Sequence, residues 1–79
     1  MKTKGGAPMN TQMTADQIAR EQGKRTASAR YRHDEARALF ERDWFRRWLF
    51  LQPRETRQVL ETAYAVGYRT EYQELDPRA

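Results

Sequence analysis

The 79-residue chain contains no cysteine, which excludes disulfides and thiolate metal sites. Histidine and serine occur once each, as His33 and Ser28. On a helix these two positions fall about 140° out of phase, so they do not face each other as a nucleophile and base would. A single histidine does not supply a zinc site of the usual His- or Cys-rich kind. The carboxylates Asp34, Glu35, Glu41 and Asp43 alternate with Arg37, Arg42, Arg46 and Arg47, which is the pattern of helix-surface pairing rather than of a tuned acid and base. Gly5-Gly6 makes no phosphate loop, because no strand leads into it. The expectation is a protein that is not an enzyme and carries no cofactor or metal. Apolar runs are also lacking. None approaches the roughly 20 residues that span a bilayer, and the acidic residues scattered among the basic ones disfavour a membrane-surface helix. The start, M-K-T-K-G-G-A-P-M-N-T-Q-M, has no apolar core of a secretory signal, so a cytoplasmic protein is expected.

What the chain does have is arginine and a concentrated aromatic segment. Lysine and arginine number 15 against 11 aspartates and glutamates, for a net charge of +4. The forked guanidinium suits phosphates and carboxylates, so nucleic acid or an acidic protein surface is the partner class that the charge favours. Both tryptophans and all three phenylalanines lie between Phe40 and Leu51, in F-E-R-D-W-F-R-R-W-L-F-L.

These features predict an all-α fold: a flexible arm over residues 1–13, then one small helical domain over 14–79. Thr14-Ala-Asp-Gln17 has the form of a capping box, so the first helix starts near Ala15. It runs toward Gly23, a residue able to end a helix, and 24–32 fits either continued helix, giving 15–31, or a basic coil. Asp34 caps a long aromatic-rich helix over 35–51. Gln52-Pro53 breaks it. A shorter antiparallel return helix follows over 54–66, with Gly67 as its C-cap, and the tail from Tyr68 is short extended chain or frays. Helical stepping puts Phe40, Trp44, Trp48 and Leu51 on one arc, which predicts a helical hairpin core against Val59, Ala63 and Tyr64. A helix apolar around so much of its circumference needs burial on more than one side. A chain this small has little else to bury, so a homodimer through the aromatic helix, or a partner that covers the tryptophans, is expected.

Gln17-Ile-Ala-Arg-Glu-Gln-Gly23-Lys-Arg-Thr-Ala-Ser-Ala-Arg-Tyr-Arg32 resembles the helix-turn-helix of bacterial DNA-binding proteins. Ile18 and Ala19 match the first helix, Gly23 the turn, and Thr26, Ser28 and Arg30 the polar face of a recognition helix. The match departs from the family where branched aliphatics pack inward, since Ala29 and Arg32 stand there. The resemblance implies a major-groove contact through the second helix. Whatever its geometry, the segment from Arg20 to Arg32 is the densest positive stretch. The expected nucleic-acid contacts are Arg20, Lys24, Arg25, Thr26, Ser28, Arg30 and Arg32, with DNA or RNA as partner. The other expectation is an inhibitor or adaptor that docks on a partner protein through Phe40, Trp44, Phe45, Arg47 and Trp48, because Trp and Arg concentrate at the energetic centres of interfaces.

Overall fold

The computed structural model describes residues 13–78, and these form three α-helices with no strand. Apart from Met13, the arm expected over 1–13 lies outside the described residues. Helix α1 spans Ala15–Tyr31, α2 spans Glu35–Phe50 and α3 spans Arg57–Leu75.

Helix α1 starts where its cap dictates. The Gln17 backbone N–H donates to Thr14 Oγ1 at 3.2 Å, and the Thr14 N–H donates to Gln17 Oε1 at 3.0 Å. Two orphan donors of the first turn are thereby satisfied locally. The helix then runs through Gly23 without a break. The helix-turn-helix reading is therefore corrected: the segment from Gln17 to Tyr31 is one continuous helix, and no turn separates a recognition helix from a support helix.

The left-handed residue that ends α1 is His33, with φ 63°. Its N–H reaches Arg30 O at 3.0 Å and the Asp34 N–H reaches Ala29 O at 2.9 Å, the paired bonds of a Schellman motif. Asp34 then accepts from the Arg37 N–H at 3.1 Å and so caps α2. The reversal is thus only three residues long. Left-handed backbone is costly for a residue with a Cβ, so His33→Gly is expected to stabilise the fold by about 0.5–1 kcal/mol after the entropy of glycine is subtracted. A thermal melt checks it, and no rise in Tm would contradict the strain.

Helix α2 stops before Pro53. Arg57 closes that corner, donating to Gln52 O at 3.2 Å and Phe50 O at 3.0 Å while its guanidinium lies 5.1 Å from the Phe50 ring centroid. A cation on the last carbonyls also opposes the helix dipole. A 3-10 turn over Arg54–Thr56 leads into α3.

Two expectations about the return helix are corrected. It is the longest of the three at 19 residues, not shorter than α2, and Gly67 is internal to it rather than its cap. The supposed tail from Tyr68 is its last two turns. Its main partner is also different. It runs parallel to α1 and packs along it, because both present small residues at four-residue spacing: Ala19, Gly23 and Ala27 on α1, Ala63 and Gly67 on α3. The approach is close enough that a Cβ on Gly23 would sit 2.1 Å from Tyr64 O, and one on Gly67 would sit 2.1 Å from Arg20 O. Both glycines are needed for space between backbones, not for a turn.

The core follows from that crossing. Ala19, Phe45, Leu60 and Ala63 are its buried centre, with Ala15, Trp48, Leu49 and Tyr64 packed around them. Phe45 stacks on Tyr64 at 4.2 Å between centroids. The expected hairpin core is corrected here. Phe40, Trp44, Leu51 and Val59 are exposed, and α2 buries the neighbouring arc of Ala38, Glu41 and Phe45 instead. The small Ala38 and Ala29, both buried, let α2 lie close to α1 on that side.

Candidate functional site

A chain of polar contacts ties the three helices together behind the candidate site. Tyr64 Oη donates to Thr26 Oγ1 at 2.8 Å, and Thr26 Oγ1 donates to Gln22 O at 3.0 Å. The Gln22 side-chain amide donates to Glu41 O at 3.0 Å and also to Glu41 Oε1. Arg37 Nε completes the set at 3.2 Å from Glu41 Oε2. A buried carboxylate is tolerable only when so satisfied. Burial pushes the Tyr64 hydroxyl above its usual 10.0, opposed by the Thr26 bond and the nearby Arg42 and Arg30 charges. The folded state thus holds that proton more tightly than the unfolded chain does. This contribution to stability is present below pH 10 and is lost as pH rises through the folded value.

Beside this network, an open cleft of about 910 Å³ is lined by residues of α1 and α2. Arg25, Ser28 and Arg32 line it from α1, and Arg37 and Phe40 from α2. Asp34 and Glu41 also reach it, but both are engaged: Asp34 accepts the Arg37 backbone N–H, and Glu41 accepts from Gln22 and Arg37. Arg25 and Arg32 make no ion pair among the described residues. The Arg37 guanidinium lies 5.8 Å from the Phe40 ring centroid, so the aromatic wall and the basic wall meet. The arrangement presents free forked donors beside an apolar ring, which can hold an anion whose neighbouring group is flat or apolar.

The structure divides the expected basic patch. Arg25, Ser28 and Arg32 converge on the cleft. Arg20 pairs with Asp16 at 3.3 Å on another side, and Lys24 is half-buried. Arg30 is half-buried with its Nε enclosed and unpartnered, and its charge bears on Tyr64. Thr26 is corrected outright: it is 2% exposed and its hydroxyl is spent within the helix bundle. The second expected set divides too. Phe45 is corrected to a core residue at 4% exposure. Trp48 is half-buried against the core and stacks on Trp44 at 6.1 Å. Trp44 and Phe40 face solvent, and Arg47 is exposed beside Asp43 at 3.0 Å. Arg37, the residue that joins the two walls, was not among the expected contacts. Its sequence signal was its position four before Glu41 and three before Phe40, on the flank of α2 that faces Arg32 across the reversal.

Among the described residues, no group of three His, Cys, Asp or Glu side chains is placed to hold a metal ion. No described helix is long and apolar enough to cross a membrane. No family model matches the chain, and no curated protein or solved structure is detectably similar to it.

Proposed function

We propose that this chain is a non-enzymatic nucleic-acid-binding accessory protein that holds backbone phosphates in the cleft between α1 and α2. The observation that supports this best is the convergence of Arg25, Arg32 and Arg37 from two helices on one open surface, with two of the three free of ion pairs. Guanidinium forks take phosphate oxygens in pairs, and the Phe40 ring offers a wall for a sugar or base. Such contacts carry little sequence information, so the expected mode is backbone tracking rather than base reading. The open cleft suits a single strand, whose phosphates and bases reach an arginine wall and an aromatic ring together.

The test is binding of labelled single-stranded and duplex oligonucleotides across a salt series. The expected result is single-strand binding that weakens steeply with salt. In an Arg25→Ala/Arg32→Ala variant the log–log slope is expected to become shallower by about 1.4, two contacts at ~0.7 each. No binding at low salt, or an unchanged slope in the variant, would overturn the reading. Binding of a glutamate-rich peptide in place of either oligonucleotide would do the same and would favour docking on an acidic protein.

A further inference from the structure

Among the described residues, nothing covers the outward face of α2. Leu39, Phe40, Trp44, Phe50 and Leu51 are all exposed there, Phe50 at 76% and Leu51 at 81%. Helical stepping lays them along the two edges of an arc of roughly 140°, Leu39 and Phe50 on one edge, Phe40, Leu51 and Trp44 on the other. Between the edges runs the ion pair of Asp43 with Arg47.

We propose that this face pairs with the same face of a second copy of this chain, antiparallel, about a two-fold axis beside Phe45. The pattern is self-complementary in that orientation alone. A two-fold of this kind keeps each edge on its own side of the dimer and reverses the direction along the helix. Leu39 then meets Phe50 of the second copy on one edge. Phe40 meets the second copy's Leu51 on the other. Asp43 meets the second copy's Arg47 in the centre. The midpoints of all three pairings fall at position 45 to within one residue. A parallel pairing would instead bring Asp43 against Asp43 and Arg47 against Arg47. Isologous contact requires this property, since residue i meets j and j meets i.

The size of the face also fits. Five side chains at these exposures leave on the order of 600 Å² of apolar surface in water, against ~800 Å² per partner in a standard interface. Asp43, Arg46 and Arg47 supply polar area toward the remainder. An apolar patch of that extent is at the upper end of what a monomer leaves bare. The proposal does not depend on the cleft, because dimerisation is read without any ligand.

Sedimentation and disulfide crosslinking, on four variants, test it. Sedimentation across a dilution series is expected to show a reversible dimer. Asp43→Arg, at an exposed position, is expected to raise the dissociation constant at least about tenfold through like charges at the centre. The charge-swapped Asp43→Arg/Arg47→Asp chain is expected to dimerise again. Register is read by crosslinking, which the absence of native cysteine makes clean. Leu39→Cys and Phe50→Cys chains, mixed, are expected to form the mixed disulfide on oxidation. Leu39→Cys alone is not, because its two copies stand about 18 Å apart along the helices at 1.5 Å per residue, beyond disulfide reach. A monomer at all concentrations would overturn the proposal, as would a dimer indifferent to Asp43→Arg, a swapped chain that stays monomeric, or Leu39→Cys chains that crosslink with themselves as readily as in the mixture.

Discussion

Gly23→Ala and Gly67→Ala are each expected to destabilise the protein by about 3 kcal/mol or more, although alanine is the better helix former by about 1 kcal/mol. Both glycines lie inside helices, where that propensity gain is the ordinary result. Here the new methyl group would stand 2.1 Å from a backbone carbonyl oxygen of the other helix, Tyr64 O in one case and Arg20 O in the other. A backbone atom cannot rotate aside as a side chain can, so α1 and α3 must separate. Separation opens the row formed by Ala19, Ala27 and Ala63, whose side chains are too short to fill the gap. It also pulls Tyr64 from Phe45 and from Thr26. A domain of this size loses roughly 4–8 °C of Tm per kcal/mol, so the midpoint is expected to fall by more than about 10 °C. Circular dichroism melts of the two variants provide the measurement. A rise in Tm for either would mean that the helices do not cross at these glycines.

Phe45→Ala is expected to cost about 3–5 kcal/mol, whereas Trp44→Ala, one residue earlier and on a larger side chain, is expected to cost about 1 kcal/mol. Phe45 is 4% exposed and is wedged between Tyr64 at 4.2 Å and Trp48 at 5.8 Å. It is the main apolar link between α2 and α3, and its loss leaves a cavity lined by aromatic rings that cannot collapse. Trp44 is 41% exposed and stacks on Trp48 at the edge of the core. Urea denaturation of both variants separates the two roles, and equal losses would refute the assignment of Phe45 to the interior. Marginal stability of small domains makes the first loss large enough to leave a substantial unfolded fraction.

The features legible in the sequence are those set by a few neighbouring residues. The Thr14–Gln17 box, the Asp34 cap and the stop before Pro53 each depend on contacts within four positions, and each forms as its residues dictate. The glycines were not legible in the same way. A glycine serves a helix end or a close crossing equally well, and which one holds depends on a helix some forty residues away. The four-residue spacing of Ala19, Gly23 and Ala27, with Ala63 and Gly67 to match, was the signal for a crossing. The buried face of α2 is not legible locally for a related reason. Apolarity alone favours the arc of Phe40, Trp44 and Leu51, yet the side that packs carries Glu41, whose carboxylate is made tolerable by Gln22 and Arg37. The candidate site divides in the same way: Arg25, Ser28 and Arg32 follow from the local density of charge, while Arg37 and the burial of Thr26 depend on how α1 meets its neighbours.

By itself, then, the order of residues determined that this chain is helical, where its first two helices begin, and that it carries more arginine and lysine than acid. Those properties arise from backbone hydrogen bonding and from composition, which act over one turn. Only the tertiary structure decided which arginines share a surface, which aromatics are enclosed and which face of α2 is left bare. Those outcomes depend on the close approach of α1 and α3 at two glycines, a steric condition that holds between distant segments.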